Sequence, residues 1–208
     1  MIYLIITTSI NNIYGVINDL HREKRYIDSI QHLLKLIEPD SSIKPIIVEN
    51  NGLRNTYLND LKCDICYTNN NINKIYKKHK GVSELLDIKE VINQYKIQDD
   101  DIVIKLTGRY KILDLSFINL VKENINNCDA FIKFFNVCTL EYLVNDCVLG
   151  LFAIKSKYIK EFNYNLTKSP ECEFADYVRK NINKDKIMEI KKLNLECCFA
   201  DNLRLLIV

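Results

Sequence analysis

The stretch DIVIKLTGRYKIL, residues Asp101 to Leu113, decides how the rest of the chain is read. Its first half, Ile102 to Leu106, is aliphatic apart from one lysine. A strand with no alternation of apolar and polar residues is buried on both faces, the pattern of a parallel sheet covered by helices. The strand then stops at Thr107-Gly108-Arg109, which places a hydroxyl, a residue without Cβ and a fixed cation side by side.

The neighbouring segments support a covered sheet. YLIITTSI, IKPIIVEN and CDICYTN read as strands on the amino-terminal side, and DAFIKFF and VLGLFAIK as strands on the other. Between them, RYIDSIQHLLKLIE sets Tyr26, Ile30, Leu33, Leu34 and Ile37 on one helical stripe, and GVSELLDIKEVINQY repeats Val82, Leu85, Ile88, Ile92 and Tyr95 at the same spacing. LSFINLVKENI is a third helix. SPECEFADYVRKNI is a fourth, with Ser169 as N-cap and Pro170 in its first turn. Short β-like pieces close the chain. Strands alternating with helices predict an α/β domain on a mostly parallel sheet flanked by helices. No Gly/Ser-rich linker or internal repeat divides the chain.

Composition narrows the function. The 208 residues are 48% hydrophobic and 27% charged, with a net charge of +2. That balance belongs to a globular protein and gives no overall field for nucleic acid or an anionic membrane. The apolar start MIYLIITTSI lacks a basic n-region and a cleavage site, so it reads as a strand, not a signal peptide. No apolar run approaches the ~20 residues of a transmembrane helix. A cytoplasmic protein is expected. The eight cysteines include one C-x-x-C, Cys63 and Cys66, within a strand, and the vicinal Cys197-Cys198; a zinc ribbon needs a second pair with the first spacing, so reduced structural thiols are expected. His21, His32 and His79 show no ligand spacing.

In a parallel α/β sheet, ligands bind at the carboxyl ends of the strands. Thr7 and Thr8 end the first strand, where they can hydrogen-bond a base or ribose, or face solvent. Glu49 and Asn50 end the second; the carboxylate can accept from a ribose or a base N–H, or be an ordinary turn acid. Lys80 and Gly81 open a helix, a place that attracts phosphate and is also an ordinary helix start. Lys105 and Arg109 bracket Thr107-Gly108. Glycine permits close approach of the backbone to a ligand, arginine offers a fork suited to phosphate oxygens, and a lysine inside a core strand calls for a partner.

The order IIVENNG, HKGVSELLD, DDDIVIKLTGRYKI, VLGLFAIKSKYIKEF and PECEFADYV, over about residues 1 to 185, resembles small GT-A type glycosyltransferases of large DNA viruses and bacterial surface-polysaccharide clusters. The K-x-T-G-R-Y segment, Lys105 to Tyr110, is its most specific part. The resemblance implies a nucleotide-diphospho-sugar transferase fold over residues 1–208, with about 1–110 holding the nucleotide and about 111–208 the acceptor. It implies a UDP-, GDP- or dTDP-linked sugar donor and a glycan acceptor; for a viral chain the location becomes host cytoplasm or virion. It also implies a carboxylate base at the start of the SPECEFADYV helix. There Glu171 projects near the stripe of Phe174, Tyr177 and Val178 and is expected to be the base, with Glu173 on the flank as reserve; Asp146, just ahead of VLGLFAIK, is by its position a candidate to contact the acceptor.

One departure matters. GT-A enzymes usually end the central strand with Asp-x-Asp around Mn²⁺ or Mg²⁺. This chain has Thr107-Gly108-Arg109 there. Its literal Asp-x-Asp, Asp99 to Asp101, precedes the strand and reads as a solvated turn. No metal site is therefore expected, and Lys105, Arg109 and Lys80 are expected to neutralise the leaving diphosphate. A catalytically silent nucleotide-binding domain is one alternative. A sugar-phosphate nucleotidyltransferase is another, although the first strand exit, TTSINNIYG, lacks that class's Gly-rich loop. P-loop and G-x-G-x-x-G motifs are absent.

Overall fold

The computed structural model describes residues 1–11, 20–52, 54–71, 80–135, 145–200 and 202–208, with the side chain of Lys80 outside the described set. Four parallel strands form one half of the main sheet: β1 (Ile2–Thr8), β2 (Ile43–Glu49), β3 (Asp64–Tyr67) and β4 (Ile102–Thr107). β6 (Ala130–Ile132), β7 (Leu151–Lys155) and β8 (Ile187–Glu189) extend it in the order β3-β2-β1-β4-β7-β6-β8. β7 runs antiparallel to both β4 and β6, and β8 is parallel to β6. Every residue of β4 is buried. A strand with neighbours on both edges and helices over both faces leaves no side for water, which is why Ile102 to Leu106 show no alternation.

The helices divide between the faces. α1 (Leu20–Ile37) and α3 (Ser116–Asn124) cover one, where Tyr26, Ile30 and Leu33 meet Leu4, Ile6, Ile104 and Phe117. α2 (Lys80–Gln94), α4 (Ser156–Glu161) and α5 (Pro170–Asn181) cover the other, where Leu85, Ile88 and Ile92 meet Ile5, Val103, Phe152 and Phe174. Each such leucine, isoleucine, valine or phenylalanine side chain, fully buried, contributes about 1.5–3 kcal/mol. Ser169 caps α5 as expected, accepting from the Cys172 N–H, with Pro170 next to it.

A second, three-stranded antiparallel sheet was not foreseen as a unit: β5 (Lys111–Ile112), β9 (Leu195–Cys198) and β10 (Leu205–Ile207), in the order β10-β9-β5. It brings the carboxy-terminal segment against the exit of β4. No helix among the described residues is long and apolar enough to cross a membrane.

The chain runs from β1 outward through β2 to β3, and then returns to the other side of β1 with β4. The order of the parallel strands therefore reverses between β1 and β4. Sheets of this kind open a crevice at the carboxyl ends of such a pair.

Candidate functional site

At the reversal point the backbones of β1 and β4 close on one another. Gly108 N–H donates to Thr7 O at 2.8 Å, and Thr107 N–H to Gly150 O at 2.9 Å. A Cβ on Gly108 would lie 2.9 Å from Thr8 Cγ2 and 3.0 Å from Thr7 O. The glycine is thus required by the approach of β4 to β1, and not by the approach of a ligand as its position in the sequence led us to expect. Gly150 is held bare in the same way, under the ring of Tyr110.

Lys105 points into the α2 face and is 1% exposed. Its ammonium donates to Glu84 Oε1 at 2.8 Å, Thr107 Oγ1 at 2.8 Å and Leu149 O at 2.7 Å. An ammonium has three N–H bonds, and all three are used. Lys105 is therefore saturated by protein and does not reach a phosphate, which corrects its expected role. Glu84 also accepts from Thr7 Oγ1 at 2.5 Å. Burial pushes the Glu84 carboxyl up, but the Lys105 charge and hydrogen bonds bring it below the usual range. For Lys105, burial lowers the pKa against the pull of Glu84. Above this pair opens a cleft enclosing about 330 Å³, part of it open to solvent, walled by Leu149, Phe162, Tyr164 and Phe174.

The ends of β2 and β3 form a second polar knot. Glu49, fully buried, accepts from Thr8 Oγ1 at 2.7 Å, from Ile10 N–H at 3.2 Å and from Asn51 N–H at 3.2 Å. Asn50 donates to Asp87 Oδ2 at 2.9 Å; Thr68 and Asn70 donate to Asp87 Oδ1 at 2.6 and 2.7 Å. Burial pushes Asp87 up to about 7 despite these donors, and it raises Glu49 as well. The expected contacts of Thr8, Glu49 and Asn50 with a ligand give way to bonds within the protein: these side chains shape the floor of the crevice. Lys80 opens α2, and Gly81 packs on Pro170 of α5.

On the α1 face, Arg109 is half-buried beside the crevice. Its Nε donates to Cys198 O at 2.7 Å, and its guanidinium lies 5.2 Å over the Tyr110 ring. It pairs with no carboxylate among the described residues. The adjacent Arg25 does, holding Glu196 at 2.7 Å and bonding Arg109 O at 2.8 Å.

From α5, Glu171 approaches half-buried. Burial raises its pKa, and the Asp146 and Glu84 carboxylates add to the effect against the pull of the helix-end donors. Glu173 is the more buried of the two, the reverse of what the helical stripe implied. Its carboxylate accepts from the N–H groups of Asn165, Thr167 and Lys168 at 2.7, 2.6 and 3.0 Å. These bonds, which outweigh desolvation and lower its pKa, commit it to holding the loop before α5 and remove it as a base. Asp146 is 0% exposed, so it acts on Glu171 from within and does not face an acceptor.

The end of β4 does not suit a divalent ion: Arg109 stands where a carboxylate ligand would. Asp99 to Asp101 lie at the opposite edge, where Asp101 holds the terminal amine at 2.8 Å, Asp99 pairs with Lys160 at 2.6 Å and Asp100 is largely exposed near Lys155. Among the described residues no three metal-ligating side chains converge, and the seven described cysteines are free thiols.

Sequence reading missed Glu84, Asp87, Arg22 and Tyr26's hydroxyl. A signal existed. Glu84 and Asp87 break the apolar face of α2 one turn apart, and the stripe Ile37, Leu33, Ile30, Tyr26, carried one turn back, lands on Arg22, a cation on a buried face.

No protein-family model matches the sequence, and no curated protein matches it significantly. Solved structures do share the fold. A cytidylyltransferase from Leptospira borgpetersenii aligns with a TM-score of 0.53 and 11% identity, over 91% of this chain and 75% of the other. A 4-diphosphocytidyl-2C-methyl-D-erythritol synthase aligns at 0.54 and 10%, over 93% and 90%. A protein of Desulfovibrio desulfuricans G20, described as a nucleotide-diphospho-sugar transferase, aligns at 0.54 and 8%, over 91% and 79%. The chain therefore has a nucleotide-diphospho-sugar transferase-like fold.

Proposed function

We propose that the protein transfers a sugar from a nucleoside-diphosphate donor to a hydroxyl of a glycan acceptor, with inversion. What supports this reading is the presence, at the same end of the sheet, of Arg109, a guanidinium without a carboxylate partner among the described residues, and of Glu171, a half-buried carboxylate whose pKa burial raises. The resemblance of the K-x-T-G-R-Y segment and the shared fold support it.

Residues 1–110 hold the nucleotide and 111–208 the acceptor. Glu171 takes the proton from the acceptor hydroxyl. The freed oxygen attacks the anomeric carbon as the bond to the diphosphate breaks, and the diphosphate leaves with the electron pair, facing Arg109. A base works best with a pKa near the working pH, and the burial of Glu171 moves it that way. Fixed positive charge at the leaving group acts without reorganisation. Lys105 contributes by fixing Glu84 and the end of β4.

The test is a thermal-shift and turnover screen with UDP-, GDP- and dTDP-sugars. One base class should raise the melting temperature. Arg109→Ala should weaken diphosphate binding tenfold or more, while Glu171→Gln should keep binding and slow transfer at least a hundredfold. Binding without turnover would mark a silent domain. A second reading, nucleotidyl transfer to a sugar phosphate, draws on the cytidylyltransferase folds; release of pyrophosphate from CTP and a sugar phosphate would establish it instead.

A further inference from the structure

The proposed transfer makes no use of the cleft on the α2 face. Among the described residues that line it, Glu84, Lys105 and Tyr164 are the only polar side chains; the others are aliphatic or aromatic, apart from Gly81. Lys105 has no N–H left to give. Glu84 differs. Its Oε1 takes the bonds from Lys105, Thr7 and Thr107. Its Oε2 accepts from none of the described residues, and the side chain is 29% exposed. With a buried ammonium beside it, this carboxylate stays ionised, so Oε2 is a free acceptor in the cleft. Tyr164 stands edge-on to Phe162, with ring centroids 4.7 Å apart.

A ligand in this cleft must give a hydrogen bond to a carboxylate, which accepts and never donates. It meets one further polar side chain, Tyr164, and lays the rest of its surface on Leu85, Leu149, Phe162 and Phe174. The enclosed 330 Å³, part of it open to solvent, is at the low end for a small-molecule site and suits one sugar ring, not a glycan chain. Phe174 follows Glu171 by one turn of α5, so such a ring lies beside the proposed base. A ring hydroxyl matches Oε2. A hydroxymethyl turned to the apolar walls would bury an oxygen without a partner, which is costly. A methyl in its place is buried with gain.

We propose that this cleft holds the sugar of the donor and selects a 6-deoxyhexose, with Glu84 Oε2 accepting from a ring hydroxyl and Leu149 and Phe174 packing against the C6 methyl. The assignment to a donor sugar rests on the function proposed above. The preference for a methyl over a hydroxymethyl comes from the lining of the cleft.

The experiment measures, by calorimetry on the full chain, the affinities of matched donors that differ only at C6: UDP- and dTDP-glucose against their 6-deoxyglucose counterparts, and GDP-mannose against GDP-6-deoxymannose. In the pair whose nucleotide binds, the 6-deoxy member should bind about tenfold tighter or more. Leu149→Asn, which puts an amide on the apolar wall, should remove most of that preference while leaving the affinity for the bare nucleoside diphosphate unchanged. Equal affinities within the pair, or a preference that Leu149→Asn does not alter, would overturn the proposal and leave the transferase reading standing. If Leu149→Asn does not fold, Leu149→Ala takes its place: it opens room for the hydroxymethyl and carries the same two outcomes. Should no nucleoside diphosphate or nucleotide sugar bind at millimolar concentration, the transferase reading falls, and methyl 6-deoxyglucoside and methyl glucoside then test the cleft alone by ligand-observed NMR. Binding of the 6-deoxy glycoside that Leu149→Asn weakens would keep the cleft as a deoxy-sugar site; no binding would sink it as well.

Discussion

Lys105 shows how a single residue can be noticed in a sequence for the right reason and given the wrong partner. A lysine within an aliphatic strand must be compensated, and that much was legible. The compensating group, Glu84, lies on α2, and no spacing along the chain connects the two. Breaking a buried pair leaves one charge without its partner and costs about 3–5 kcal/mol; Glu84 is 29% exposed, so the lower end applies here. Lys105→Met should therefore lose about 3 kcal/mol in urea unfolding. The double variant Lys105→Met/Glu84→Leu should recover most of that loss, since neither charge is left behind. If the two single losses simply add, the pair is not the unit described. Gly108 supports the same view of the strand end. Gly108→Ala should cost about 1–3 kcal/mol by thermal unfolding, because the new methyl meets a carbonyl oxygen of β1 that cannot turn aside. An alanine variant of full stability would return the glycine to a ligand-facing role.

Among the elements, those with an apolar run or a helical stripe were readable: β1, β2, β3, β4, β6 and β7, and helices α1, α2, α3 and α5. α4 and the small sheet of β5, β9 and β10 were not, because a two-residue strand carries no period and its pairing is decided by residues more than eighty positions away. That sheet is what positions Arg109, through Cys198 O, so half of the site's geometry was beyond local pattern. The start of α5 makes the same point through Glu173. The stripe angle holds for a helix in isolation, whereas the side chain folds back on the loop that precedes the helix. Glu173→Gln should remove about 1–3 kcal/mol while leaving nucleotide binding intact. The sign in acid follows from its lowered pKa. Its contribution is complete above the ordinary glutamate value and is lost as the pH falls through the folded-state value. The wild type should lose stability in acid more steeply than Glu173→Gln, as followed by thermal melts from pH 6 down to 2. Parallel curves would show that the loop contacts matter little.

For the molecule as a whole, the α/β sheet and the edge that carries the site followed from strand–helix alternation, because covering a sheet on both faces leaves its imprint on every strand. What the alternation does not show is which polar groups at that edge face a ligand and which face each other. Most of them face each other, and Asp87 is the clearest case: it joins α2 to the ends of β2 and β3 through Asn50, Thr68 and Asn70, so its charge state bears on the whole fold. Its folded pKa of about 7 lies above the ordinary 3.8. Between these values the folded protein binds a proton that the unfolded chain has lost, so stability falls as the pH rises through that window and is level above it. At about 1.4 kcal/mol per pH unit, the full effect is on the order of 4 kcal/mol. The acids with lowered pKa values, Asp40, Glu84, Asp114, Asp129 and Glu173, act with the opposite sign, but only below about pH 5, where the unfolded chain still takes up protons. Glu49 and Glu171 share the sign of Asp87. The protein should therefore be more stable near pH 5 than near pH 8, and Asp87→Asn should flatten most of that decline whatever it does to absolute stability. Denaturant unfolding of both proteins across pH 5 to 8 measures the two slopes. Equal slopes would mean that Asp87 is already ionised at pH 5 and that the knot at the sheet edge is held by charge throughout.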